Sequence, residues 1–163
     1  MGVGNWLKYS AAVCAMLLLP GAGFAAQPVN RDANHLLNDM RYDALQVRHH
    51  SRLMQQFADH TQFTWDTEGI ELQRIKAEVD DMGKRLSRLQ QIEGTISPSE
   101  QHAVERLAPE VRYMADNTDA AINYRNAHET DFWATSFMQN AKNLNQEAKT
   151  ASRIIHRGEE GEL

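Results

Sequence analysis

Cysteine is nearly missing from this chain: one occurs, Cys14, in the N-terminal stretch of 163 residues. A mature chain starting after Ala25 would have none. That excludes a disulfide staple, a thiolate nucleophile, a cysteine-ligated zinc and a covalently tethered c-type haem, so packing alone must hold the fold. Proline and glycine are rare after residue 28, no Asn-Gly hairpin signal occurs, and no stretch alternates apolar and polar residues with period two. Sheet is therefore not expected. Phosphate-binding glycine loops are missing, as is a Gly-x-Ser-x-Gly elbow. There is no basic run, and the formal charge is -5. Nucleic acid is excluded as a partner, because neutralisation of phosphates by Lys and Arg supplies that affinity.

A long hydrophobic run is lacking too. The apolar stretch Ala11 to Leu19 is shorter than the roughly 20 residues a bilayer span requires. Lys8 precedes it, Pro20 and Gly21 break it, and Gly23-Phe24-Ala25 offers small residues for cleavage. The expectation is a cleavable signal peptide over residues 1–25, export to the periplasm or beyond, and no membrane span afterwards.

What the remainder does contain is apolar residues three and four apart. Leu72, Ile75, Val79, Met82, Leu86 and Leu89 make one such stripe, with Trp65 in phase upstream. Val104, Leu107, Val111, Met114, Thr118 and Ala121 make a second. Leu37, Met40, Ala44, Val47, Ser51, Met54 and Ala58 make a third. Phe137, Ala141, Leu144, Ala148, Ala151 and Ile155 make a fourth, rich in alanine so that a neighbouring backbone can approach closely. Heptad stripes of this kind coat one flank of a helix. They predict helices near 30–61, 65–94, 98–125 and 130–156. Short connections between them imply an all-α, antiparallel up-down-up-down four-helix bundle over residues 26–157.

Local signals refine this reading. Ser97, Pro98 and Glu100 form a capping box with proline in the first turn. Pro109 is expected to kink or restart its helix. Asp80 with Lys84 and Asp81 with Arg85 are expected to pair along a solvated surface. Gly83, in mid-helix, is expected to mark a close helix contact. Residues from Gly158 onward are expected to form an acidic, disordered tail.

The central part resembles a group of uncharacterised exported bacterial helical proteins. The residues that carry the likeness are Trp65 opening a helix, Ile75 through Met82-Gly83, Leu86, Leu89 and Pro98. They continue as Ala103-Val104, Arg106-Leu107, Pro109, and Thr118 with Ala121-Ile122-Asn123. This covers roughly residues 64–126. The chain departs from the group at Ser99 and Glu68, where an aromatic residue and a histidine stand in other members. The resemblance implies a helical fold and export, and it implies no activity.

Two clusters are candidates for binding. The predicted topology gathers Phe57, Phe63, Trp65, Tyr124, Phe132, Trp133 and Phe137 at one end, seven of the nine aromatics after Ala25. Rings there either plug the splayed bundle or line a site for an apolar ligand or a partner, for which Trp65, Tyr124, Phe132 and Trp133 are the candidates. The other end collects His35, His102 and His156, which could together hold zinc or copper. His49, His50 and His60 are expected on a solvated face. No His-Glu-x-x-His motif occurs and no Glu lies three before any His, so a di-iron signature is missing. No cofactor is implied and no catalytic set can be assembled. The expectation is a non-catalytic interaction protein of the envelope, acting on an unidentified protein or envelope component. Its helix faces would also permit a homodimer.

Overall fold

The computed structural model describes residues 30–58, 65–128 and 135–161. Within them lie four helices: α1 Arg31–Ala58, α2 Trp65–Gln91, α3 Pro98–Ala127 and α4 Thr135–Glu160. A short 3₁₀ turn, Glu93–Thr95, stands between α2 and α3.

All four stripes face inward. Every described member of each is buried, from Leu37 to Met54 on α1, Leu72 to Leu89 on α2, Val104 to Ala121 on α3, and Phe137 to Ile155 on α4. Two of these positions carry hydroxyls. Ser51 donates to the Val47 carbonyl, and Thr118 donates to the Met114 carbonyl at 2.7 Å. Bonding back one turn satisfies a group that would otherwise be buried unpaired.

Interhelical bonds fix the topology. Arg85 of α2 reaches Asp43 of α1, and farther along the same pair Glu71 meets His50, so the two helices run antiparallel. Gln55 of α1 donates to the Ala141 carbonyl at 3.2 Å, while Arg41 near the other end meets Glu159 at 3.5 Å. Asn117 of α3 bonds Glu147 and Asn143 of α4. The result is an up-down-up-down bundle. Ala141, Ala148 and Ala151 are each 0% exposed. Alanine leaves so little bulk there that a side chain from α1 reaches the α4 backbone itself.

The pole at the start of α1 is well tied. Asn30 accepts from the backbone N–H groups of Asp32 and Ala33, capping α1, and donates to Thr95 in the 3₁₀ turn at 2.9 Å. Ile96 is buried beneath that turn. Ser97 then opens α3 with both bonds of the capping box: its own N–H donates to Glu100 at 2.7 Å, and the Glu100 N–H donates to its hydroxyl at 3.3 Å.

Several expectations are corrected. Helix α3 does not restart at Pro109 but runs on as one element. Pro109 faces solvent, so the carbonyl it deprives of a partner can be hydrated. No other helix crowds Gly83: a Cβ built there would meet nothing within 4 Å beyond its own stretch of helix backbone. Helix α4 continues past Gly158 to Glu160, because Gly158 is buried and Glu159 and Glu160 bond Arg41 and His156. On α2, Asp80 pairs with Lys76 and Asp81 with Lys84. Arg85 turns inward to Asp43, leaving the expected surface pair with Asp81 unformed within ion-pair distance.

Candidate functional site

Of the expected aromatic cluster, Phe63, Phe132, Trp133 and the side chains of Phe57 and Trp65 lie outside the described residues. Tyr124 and Phe137 are described. Phe137 is fully buried, and Tyr124 is half-buried against it, ring centroids 6.3 Å apart. Tyr124 also stacks on His128, one turn along the helix, at 4.2 Å and an interplanar angle of 11°. His128 Nδ1 lies 3.0 Å from the Tyr124 carbonyl, which closes the end of α3.

Beside this cluster stands Glu68, in the stripe phase of α2 between Trp65 and Leu72. It is 1% exposed, and neither carboxylate oxygen has a hydrogen-bond partner. Burial pushes its carboxyl up to about 7, against the opposing pull of Arg125. Arg125 arches over Gly69, where a Cβ would come within 2.7 Å of the guanidinium carbon. Glycine at position 69 is thus what lets α3 lay an arginine across α2.

A polar ladder runs along the α1–α2 edge. Asp43 and His50 are seven residues apart on α1, and Glu71, Glu78 and Arg85 are spaced by seven on α2. Antiparallel packing sets these rows against each other. Arg85 lies 2.5 Å from Asp43 and 3.6 Å from Asp39. Burial raises the Asp43 carboxyl to about 7 despite Arg85, and the neighbouring charge of Glu78 adds to the rise. His50 Nδ1 lies 2.5 Å from Glu71, whose other oxygen accepts from Arg74 at 3.0 Å. Both His50 and Glu71 are buried. The expectation that His50 lies on a solvated face is therefore corrected; His49 does lie on that face, and His60 falls outside the described residues.

The α3–α4 edge is polar as well. Asn117 donates to Glu147 at 3.0 Å and accepts from Asn143 at 3.0 Å. The second Glu147 oxygen is buried without a partner. Burial, with Glu110 and Asp116 nearby, raises this carboxyl to about 7.

His35, His102 and His156 do lie at the pole where topology placed them, but on outward faces. All three are exposed, and His102 and His156 sit 3.4 Å from Glu105 and Glu160 on their own helices. Among the described residues no group of three or more His, Cys, Asp or Glu side chains could hold a metal ion. The expected three-histidine site is corrected accordingly: chain order brings the histidines to one end of the bundle, and helical phase sends the rings to solvent. No described helix is long and apolar enough to cross a membrane.

The outer surface holds a feature that the inner stripes overshadow. Tyr42 is 62% exposed and Leu45 is 42% exposed, and His49 and Arg52 continue the same line on α1. Their spacing of three, four and three repeats the inner stripe's rhythm on the opposite flank. That spacing is visible in the sequence, where the stronger inner stripe conceals it. Comparison with protein-family models, with curated proteins and with solved structures finds no match, so the candidate surfaces stand on their own geometry.

Proposed function

We propose that this chain is an exported, non-catalytic interaction protein of the bacterial envelope, and that it receives a helix of a partner protein along the outer flank of α1. The observation that carries this reading is the line Tyr42, Leu45, His49 and Arg52. Large apolar and aromatic side chains on a solvent face lose nothing by being covered, and Tyr and Arg are enriched among the residues that dominate binding energy. The spacing suits a helix laid alongside, because knobs three and four apart fit the holes of a facing helix. The signal-like start of the chain supports an envelope setting. The inner stripes support a scaffold role: they are filled by packed side chains, and they position α1 rigidly from behind.

The test is crosslinking in intact cells followed by affinity capture, with the native chain beside a Tyr42→Ser/Leu45→Ser variant. Both positions are exposed, so the variant should keep its helical circular dichroism. The expected outcome is a crosslinked species that depends on the native stripe and falls at least tenfold in the variant. A native chain that sediments as a lone monomer and captures nothing, or capture that the double variant leaves intact, would count against the reading.

A further inference from the structure

A shallow groove between α3 and α4 is lined by three arginines. Arg106 comes from α3; Arg153 and Arg157, one turn apart, come from α4. Thr150 and Ile154 complete the lining, and the space enclosed is about 140 Å³. Ile154 is buried and forms an apolar floor.

The protein sets no acidic side chain in contact with these charges. Among the described residues, none of the three arginines forms an ion pair within 4 Å, although acidic side chains are close in sequence. Glu105 is engaged by His102, Glu159 by Arg41 and Glu160 by His156. Glu110, one turn along α3, feels Arg106 only at longer range, and burial raises its carboxyl despite that pull. Arg153 is steadied by its Nε donating to the Lys149 carbonyl at 3.3 Å, which leaves its terminal nitrogens to point elsewhere. The Thr150 hydroxyl donates to the Gln146 carbonyl, so toward the groove its oxygen acts as an acceptor. Three guanidinium groups beside one depression repel each other, and a chain of net charge -5 has ample carboxylates with which to relieve them. It sets none of them against this groove at contact distance.

We propose that this groove binds a phosphate-type oxyanion, carried either by a small soluble molecule or by a lipid headgroup. Guanidinium forks match the oxygens of a tetrahedral phosphate and bond them in pairs, so three arginines lining one groove offer both the charge and the donors such an anion needs. A water takes roughly 30 Å³ of liquid volume, so the groove admits an anion that displaces a few waters and little more. Binding at an edge formed by two helices would also clamp α3 to α4, which gives a second readout.

The experiment titrates the purified protein with inorganic phosphate and with pyrophosphate at constant ionic strength, following both heat and the amide spectrum. The test variant is Arg106→Gln/Arg153→Gln/Arg157→Gln. A matched control, Arg31→Gln/Arg88→Gln/Arg112→Gln, makes the same change in net charge at exposed arginines elsewhere. The expected result is saturable binding with shifts in α3 and α4, lost at least tenfold in the test variant and kept within threefold in the control. At a phosphate level tenfold above the dissociation constant, phosphate should raise the native Tm by about 3–5 °C more than it raises the test variant's. Comparing responses removes the general stabilisation that phosphate gives any protein by exclusion. Arg153→Lys, which keeps the charge and loses the fork, should bind with intermediate affinity and serves if the triple variant does not fold. Vesicles of neutral phosphatidylcholine with and without phosphatidylglycerol form the second arm. Vesicle binding that needs the anionic lipid and the three arginines, together with weak phosphate binding, assigns the lipid source. Phosphate and pyrophosphate binding without vesicle binding assigns the soluble one. No saturable binding in either arm, or equal loss in test and control variants, overturns the proposal.

Discussion

Single residues in this bundle divide into those that fill space and those that hold a charge away from water. Gly83 does neither. Its φ is helical, nothing beyond its own helix backbone lies within 4 Å of a Cβ placed on it, and it sits in the middle of α2. A mid-helix glycine is disfavoured against alanine by roughly 0.5–1 kcal/mol, mostly through the freedom it loses on folding. Gly83→Ala should therefore raise stability by about that amount, measured by urea denaturation, with an unchanged dependence on denaturant. A loss instead would mean that something covers this flank in solution. Gly69 is the contrasting case, since the Arg125 guanidinium occupies the space its side chain would take. Sequence alone does not separate the two glycines. Both interrupt one helix, and only the neighbouring helix decides which one has a visitor.

Elements were the most legible level. Heptad spacing located all four helices and assigned their inner flanks residue by residue, because burying a whole apolar stripe stabilises a bundle more than any other single contribution. The capping box marked the start of α3 correctly for the same reason that it works anywhere: two orphan donors are satisfied at once. What stayed hidden was the interior polar ladder. Asp43, His50, Glu71 and Arg85 read as surface residues by type, and they are drawn inward only because α1 and α2 bring complementary rows together. A seven-residue period in polar side chains was the available signal. The candidate site was less legible still. The expected histidine cluster failed on phase, and most of the aromatic group falls beyond the described residues. At this scale α4 makes its own prediction. Ala148 is fully buried on the stripe that lets α1 and α3 close in. Ala148→Leu adds bulk with no room to accept it and should cost about 1–3 kcal/mol in thermal unfolding. If the variant were as stable as the native chain, the close approach of α4 would be in doubt.

At the scale of the molecule, three carboxyls share one property. Asp43, Glu68 and Glu147 are all pushed up to about 7 by burial, each on a different interhelical edge. In an unfolded chain they would release their protons near pH 4. Between those values the native bundle holds more protons than the unfolded chain does, so stability falls as pH rises through that window and levels off above about 7. Carboxyl groups that are drawn down by salt bridges would give the opposite slope. The bundle should thus melt several degrees higher at pH 5 than at pH 8. Glu68→Gln offers a check within the same measurement. It removes one buried charge at pH 8 and should stabilise there by about 1–3 kcal/mol, the cost of an unsatisfied buried polar group, with little effect at pH 5. A melting temperature that climbs steadily from pH 5 to pH 8 would refute this ordering.

Because an even number of antiparallel helices brings a chain back to where it set out, Asn30 and Glu160 leave the bundle toward one pole, with Glu159 joined to Arg41 about three turns into α1. Any mooring attached before the first helix or after the last would hold that pole. The opposite pole, with Tyr124 and His128, would then stand outward like the head of a post.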